Sequence, residues 1–423
     1  MRLRRSASAA CPFAAKISPS ESPQPVAKYR VHFAAIGIAA LSLVIWLGLF
    51  FFNGHFWQLW ISDADRESVP SPSNWRSVVA VVPARNEASS ITQTIAALTK
   101  QDYPGRFSII VVDDHSEDGT GELARKAAAE SGGLARVQIL TAPTLASGWT
   151  GKLWALQSGV ESALANASEF FWFTDADVVH APDTLRRLVS RAERDHLDLT
   201  SLMVLLQAQS FAEKLIVPPF LYFFLMLYPP RWIANENSRA AGAAGGCMLL
   251  RASALARIGG LAAIRNEVID DCSLARAVKR SGGKIWMGLT RASVSLRHYA
   301  NLSELRDMVA RTAFTQLNYS AVQLTGTLIG LLLTFVAPVA FAFSSNPRIW
   351  LPALLAWCLM SASFLPTVVF YRLTPIWSPF LPVAAFFYSY STFLSALRYW
   401  LGRGGQWKGR AQAQRTGGSR SRV

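Results

Sequence analysis

The sequence predicts an α/β domain on a mostly parallel sheet, with transmembrane helices on both sides of it in the chain. Three observations predict this. Between Ser77 and Thr174, short runs of β-branched or aromatic residues alternate with helical patterns, the order of βαβ units. Three of those runs stop abruptly in polar or acidic residues. Long apolar blocks free of acidic residues precede and follow them, each near the roughly 20 residues that span a bilayer.

The elements follow in order. Ser77 to Val82 is a β-branched run stopped by Pro83, with Ala84-Arg85-Asn86-Glu87 next and a helical pattern through Ile91, Ile95 and Leu98. Phe107 to Val112 breaks into Asp113-Asp114, and a helix is expected from about Gly121 to Ser131. Leu134 to Leu140 reads as a third strand and Lys152 to Ala165 as a helix. Phe170 to Thr174 reads as a buried strand, because it is short, continuous and aromatic-rich.

That last strand runs into Asp175-Ala176-Asp177. In extended backbone, residues i and i+2 point the same way, so both carboxylates converge just past the strand. The carboxyl edge of a parallel sheet is where such folds place ligands. Paired carboxylates suit a hard divalent cation, Mg²⁺ or Mn²⁺, which in turn holds phosphates. A turn with a helix cap after Asp177 is the ordinary alternative. Asp270-Asp271 opens a second helical pattern through Leu274, Ala275 and Val278, where acids also serve as caps. Gly148 and Gly151 precede Lys152, but Gly-x-x-Gly-Lys lacks P-loop spacing, and no Gly-x-Gly-x-x-Gly follows the first strand. A dinucleotide oxidoreductase is therefore disfavoured. A solvated side chain is the alternative for Lys152, and a surface helix start the alternative for Arg85 and Glu87.

The 423 residues are 51% hydrophobic and carry a net charge of +15. The charge is scattered and no nucleic-acid motif is visible, so a membrane surface and a phosphate-rich substrate account for it better than nucleic acid. Val31 to Phe52 reads as a membrane helix. Val322 to Phe343, Ile349 to Tyr371 and Ile376 to Trp400 follow near the other end. The last two contain Pro352, Pro366, Pro379 and Pro382, which predict kinks or partial insertion. Leu215 to Trp232 is apolar with proline pairs near both ends, and reads as an interfacial segment or, equally, as buried core. Cys11, Cys247, Cys272 and Cys358 are too scattered for a metal site and fit a reducing compartment.

Five regions result: a basic tail over 1–30, a membrane helix over 31–55, the α/β domain over 75–320, membrane helices over 322–400 and a basic tail over 402–423. Pro19 to Pro25 and Gly402 to Val423 read as disordered. The tails create a conflict. Basic tails at both ends favour the cytoplasm, yet one helix before the domain and three after it would then put the domain outside. Either the first segment dips into the membrane as a hairpin, or one tail lies outside.

The motifs Val82 to Glu87, Val112 to Thr120 and Asp175-Ala176-Asp177 resemble family 2 glycosyltransferases of the GT-A fold. Gly148 to Leu156, Arg239 to Leu249 and Ile269 to Ala275 resemble the bacterial hopene-associated members. The similarity runs from about Val78 to Ser320. It implies a membrane-bound, inverting, metal-dependent enzyme. That enzyme moves one sugar from a nucleotide sugar to a lipid hydroxyl, and the resemblance to the hopene-associated members points to a hopanoid. Because nucleotide sugars are cytoplasmic, it implies a multi-pass protein of the inner (plasma) membrane with a cytoplasmic domain.

The resemblance also implies roles. Asp113 and above all Asp114 hold base and ribose, in a pocket shaped by Pro83, Arg85 and Glu87. Asp177 is the ligand of Mg²⁺ or Mn²⁺, and Asp175 its partner or a ribose contact. Lys152 adds positive charge at the diphosphate, with Arg297 a further candidate there. Asp271 is the catalytic base with Asp270 beside it. Processive members carry Gln-x-x-Arg-Trp, but here Gln316 lacks Arg and Trp at the required offsets. This favours single-sugar transfer over polysaccharide synthesis, and leaves Arg311 and Gln316 as acceptor-side candidates. A catalytically silent membrane scaffold is the remaining rival, opposed by the intact acidic set.

Overall fold

A computed structural model describes residues 24–59, 72, 74–164, 167–402, 406–407 and 410–411. The expected disorder of the two tails, and Cys11, fall largely or wholly outside them. Helix α1 (Gln24–Phe52) comes first. Then β1 (Val78–Ala84), α2 (Ile91–Thr99), β2 (Phe107–Asp113), α3 (Thr120–Glu130), β3 (Val137–Thr141), α4 (Gly151–Leu164) and β4 (Phe170–Thr174) alternate as expected. Next come β5 (Val178–His180), α5 (Thr184–Arg194), β6 (Leu199–Leu205), α6 (Phe211–Leu227), α7 (Pro230–Ala234), β7 (Cys247–Arg251), α8 (Ala252–Arg257), α9 (Asp270–Arg280) and β8 (Ile285–Ser295). The chain continues through α10 (Leu302–Ala310), α11 (Ala313–Gln316), α12 (Ala321–Leu331), a π-helical turn (Leu332–Val336), α13 (Ala337–Ala342) and α14 (Pro347–Phe370). A 3₁₀ segment (Pro375–Phe380) leads into α15 (Leu381–Trp400), and two short strands, β9 (Gln406–Trp407) and β10 (Arg410–Ala411), pair beyond it.

The eight-stranded sheet has the order β3-β2-β1-β4-β7-β6-β8-β5. The expected parallel half is there: β3, β2, β1 and β4 all run the same way. The second half is mixed, since β7 runs antiparallel to β4 and to β6, and β5 antiparallel to β8. β1 and β4 are buried along their whole length, as continuous apolar strands covered on both faces must be. α4 lies close against β1 because residue 159 is glycine. A Cβ there would stand 2.4 Å from the Val81 side chain.

Four helical stretches among the described residues are long and apolar enough to cross a membrane: His32–Phe52, Ala321–Ala342, Pro347–Phe370 and Pro375–Trp400. α1 is one unbroken helix, which removes the membrane-dipping hairpin as a reading of the first segment. The ambiguous apolar stretch after Leu215 forms α6 and α7. α6 joins the sheet domain to the membrane helices, with Ile216, Val217 and Leu221 in the main core. The Tyr222 hydroxyl meets Ser363 Oγ of α14 at 2.7 Å, and Tyr388 of α15 donates to the Ile216 carbonyl at 3.0 Å. α6 is fixed at its start by Glu213. That carboxylate accepts from the backbone amides of Gln209, Ser210 and Tyr299, so a buried charge is fully satisfied.

Candidate active site

The C-terminal ends of β1, β2 and β4 open onto one edge of the sheet, and an open cleft with a volume of about 130 Å³ lies there. Pro83 and Glu87 line it from the end of β1, Thr150 and Lys152 from the start of α4, and Asp175 and Asp177 from the end of β4. Glu267 and Asp270 enter from the approach to α9, Arg297 from the end of β8 and Arg311 from the end of α10. Six elements thus meet, which explains why the residues are scattered through the sequence.

Lys152 is central. Its Nζ stands 2.9 Å from Asp175 Oδ1 and 3.4 Å from Asp270 Oδ2. Burial alone would lower its pKa, but Asp175 and Asp270 outweigh that and hold it above the ordinary lysine range. The solvated alternative is excluded by this pairing. Lys152 also ties the strand-end acids to the acids at the start of α9.

Asp177 is held by its own backbone and a neighbour. Its carbonyl accepts from Leu296 N at 2.7 Å, and its carboxylate from Ser295 Oγ at 3.2 Å. Burial first, then the charges of Asp175 and Glu87, push its carboxyl up to about 6 against the pull of Arg297. Behind it, His180 Nε2 meets Thr174 Oγ1 at 2.8 Å and its Nδ1 meets Ser293 Oγ at 2.8 Å. Burial pushes the imidazole down to about 3, so a neutral ring fixes the end of β4.

Asp271 does not line the cleft. Its Oδ2 accepts from Gly245 N at 2.9 Å and its Oδ1 from Cys272 N at 2.7 Å. A Cβ at residue 245 would stand 3.3 Å from that oxygen, so glycine permits the close approach. Burial and then the Asp270 charge push the Asp271 carboxyl up to about 6, while Lys152 opposes them.

The β1 and β2 ends are laced together. Arg85 Nη1 donates to the Asp114 carbonyl and lies 3.7 Å from the Asp114 carboxylate, which is almost fully buried. Asp113 accepts from Ser116 N at 2.9 Å. Asp118 accepts from Ala88 N and Thr120 N, and Asn86 from Glu117 N. Asn86 and His115 adopt positive φ, 52° and 54°, which Asn and His tolerate better than most residues. Arg85, Asp113 and Asp114 therefore stand beside the cleft, not in its lining. Gln316 likewise lies behind it, its amide donating to Tyr228 Oη at 2.6 Å. Sequence reasoning missed Thr150, Glu267 and His180. Glu267 carried a usable signal, an acid three residues before the Asp270-Asp271 pair.

Residues 79–259 match the Glycosyl transferase family 2 model. That stretch is a family 2 glycosyltransferase domain. The matched stretch includes Asp113, Lys152 and Asp177 but stops before Asp270. The 4,4'-diaponeurosporenoate glycosyltransferase of Staphylococcus haemolyticus is 33% identical over 103 residues, 24% of this chain and 24% of that protein. The undecaprenyl-phosphate mannosyltransferase of Micrococcus luteus is 31% identical over 113 residues, 26% of this chain and 42% of that protein. The chain thus spans less than half the length of these curated relatives. A mannosyltransferase from Pyrobaculum calidifontis, solved in complex with GDP-Man and Mn²⁺, is 19% identical. That match covers 86% of this chain and 97% of the other, with a TM-score of 0.47.

Proposed function

We propose that this protein is a membrane-bound, inverting glycosyltransferase that moves one sugar from a nucleotide sugar to a lipid hydroxyl, with a divalent cation at Asp177. The single observation that carries this reading is the cleft. Five carboxylates, Glu87, Asp175, Asp177, Glu267 and Asp270, face two arginines and a largely shielded lysine at the carboxyl edge of the sheet. The domain's continuity with four apolar helices supports a lipid acceptor, as does the relative named for undecaprenyl-phosphate. Resemblance suggests a hopanoid within that class.

The donor set fits a cation. Among the described residues no three His, Cys, Asp or Glu side chains form a closed metal cluster. Mg²⁺ and Mn²⁺ do not need one, being hard ions commonly held by one or two carboxylates plus substrate phosphates. Burial first, then the charges of Asp175 and Glu87, push the Asp177 carboxyl up, a setting that a bound cation would relieve. Asp177, with Asp175, would hold the ion, which when bound neutralises charge on the departing diphosphate.

The chain's own residues supply the rest. Arg297 and Arg311 face the position of the diphosphate and favour its negative charge as it leaves. Asp113 and Asp114, at the β2 end, carry the nucleoside side of the pocket, with Pro83, Arg85 and Glu87 shaping it. The acceptor oxygen attacks the anomeric carbon, the bond to the diphosphate breaks, and the acceptor proton passes to Asp271. A carboxyl raised to about 6 is a fitting base near neutral pH. Direct displacement inverts the anomeric centre. One observation favours a second reading of the base: Asp270 lines the cleft and Asp271 does not.

Titration of the purified protein with a panel of nucleotide sugars, with and without Mn²⁺, tests the donor half. Cation-dependent binding of one of them is the expected result. Failure to bind any would return the silent scaffold to first place.

A further inference from the structure

The course of the chain through the membrane can be read from which helix ends touch the glycosyltransferase domain. α1 and α14 start at the end of the helical layer remote from that domain, where Asn346 Nδ2 and His32 Nε2 lie 2.6 Å apart and Ala39 packs with Ile349 and Ala353. Both finish at the domain. Just past α1, Asn53 Nδ2 donates to the Met226 carbonyl at 3.1 Å. At the end of α14, Arg291 of β8 donates to the Phe370 carbonyl at 2.9 Å and the Val369 carbonyl at 3.2 Å. The α12–α13 stretch runs the other way. Leu324 packs on Phe314 beside the domain, and Phe341 packs at the remote end.

The last apolar stretch behaves differently. After leaving α14 at the domain, the 3₁₀ segment folds back along α14, where Ser378 Oγ bonds the Ser361 carbonyl and Trp357 Nε1 donates to the Pro379 carbonyl at 3.1 Å. At about 1.5 Å per helical residue, Ser361 and Trp357 lie roughly 14–20 Å from the Phe370 end. That is about half of the roughly 30 Å hydrocarbon core. α15 then returns. Phe314 N donates to Ser395 Oγ at 3.1 Å, and Arg398 Nη2 donates to Asp307 Oδ1 of α10 at 2.7 Å. Both ends of the stretch therefore touch the glycosyltransferase domain. Pro375, Pro379 and Pro382 stand at the turn, where missing amide donors make a break least costly.

We propose that residues 371–400 form a re-entrant hairpin, so that three helical stretches cross the membrane and the C-terminal end lies on the same face as the glycosyltransferase domain. The N-terminal tail then lies on the opposite face. The charge conflict disappears for the C-terminal tail, whose arginines and lysine sit on the cytoplasmic side with the donor site. The N-terminal tail becomes the exception to the rule. The hairpin also walls a narrow apolar groove with Leu215, Pro218 and Pro219 of α6.

The test uses full-length protein in membrane vesicles of both orientations, in a background with Cys11→Ser and Cys358→Ser. Cys247 and Cys272 are buried. Single cysteines are introduced as Glu117→Cys in the domain, Ser345→Cys at the remote end and Ser419→Cys in the C-terminal tail. A membrane-impermeant maleimide should label Glu117→Cys and Ser419→Cys from one face and Ser345→Cys from the other only. Labelling of Ser419→Cys together with Ser345→Cys would overturn the hairpin. If a variant does not accumulate, a green fluorescent reporter fused after Val423, which fluoresces only in the cytoplasm, gives the same answer. Fluorescence is expected, and a dark but inserted fusion contradicts the proposal. Neither readout depends on sugar transfer, so loss of the enzymatic reading and loss of the hairpin are distinguishable.

Discussion

The Lys152 ammonium lies 2.9 Å from the Asp175 carboxylate, with the lysine mostly shielded from solvent and the aspartate about a third exposed. The same ammonium reaches Asp270 on the other wall of the cleft. Removing one partner of a fully buried ion pair commonly costs about 3–5 kcal/mol, and solvent at the partly exposed Asp175 makes the cost here smaller. Lys152→Met should therefore lower the melting temperature clearly and abolish transfer, whereas Lys152→Arg retains part of both. A Lys152→Met variant with wild-type stability would show that the pair is not formed in solution.

Asp177 gives a prediction with a definite sign. Its carboxyl is raised in the folded state from 3.8 to about 6, so between those values the native protein binds more protons than the unfolded chain. Stability of the cation-free protein should fall as pH rises from about 4 to about 6, then level off. One pKa unit corresponds to about 1.4 kcal/mol, so the total effect is of order 2–3 kcal/mol, and Asp271 adds in the same direction. Denaturant midpoints measured across this window check it. A rise with pH there, after the other carboxylates are accounted for, would contradict the crowding at Asp177.

Cation binding needs the ionised form of that carboxylate. Mn²⁺ affinity should therefore climb as pH passes about 6, with proton release on binding. Calorimetry in two buffers of different ionisation enthalpy measures the released protons directly. Asp177→Asn should lose the Mn²⁺ response of donor binding and yet be somewhat more stable than wild type without metal, because the crowded charge is gone. Unchanged donor affinity and unchanged response to chelator in this variant would remove the cation from Asp177.

The two acids at the start of α9 are separable. Loss of a general base typically costs about 10²–10⁴-fold in rate. Asp271→Asn should bind nucleotide sugar with near-normal affinity and transfer almost nothing. Asp270→Asn should be milder in rate but should loosen Lys152, and so lower stability. A dead Asp270→Asn beside an active Asp271→Asn would exchange the two roles, which the cleft lining already favours as the second reading.

Much of the parallel half of the sheet was legible because β1, β2 and β4 are continuous apolar runs ended by polar residues, and burial on both faces demands that pattern. The antiparallel partners were not. β7 and β6 are separated by the whole of α6 and α7, so no local periodicity announces which strand they join. At the site, Asp175 and Asp177 were expected to converge through extended backbone; both do line the cleft, but β4 ends at Thr174 and the two acids sit in a turn in which Val178 N donates to the Asp175 carbonyl at 3.3 Å. Lys152 was read with solvent as its alternative environment, since nothing local shows that two acids from distant segments close over it. Asp114 was expected at the nucleotide, but its burial under Arg85 follows from positive-φ turns at Asn86 and His115, which sequence spacing does not reveal. The hairpin of the last apolar stretch was visible only as proline content. Its direction depends on the contacts that α15 makes with α10.

The most direct measurement is mass analysis of products after incubating the purified protein with nucleotide sugars and membrane lipids, with and without Mn²⁺. The predicted result is a glycolipid heavier than its parent by a single sugar, lost on chelation and absent with Asp177→Asn and Asp271→Asn. A ladder of sugar additions, or a single-sugar product that persists unchanged in Asp177→Asn with chelator present, would contradict cation-assisted transfer of one sugar to a lipid.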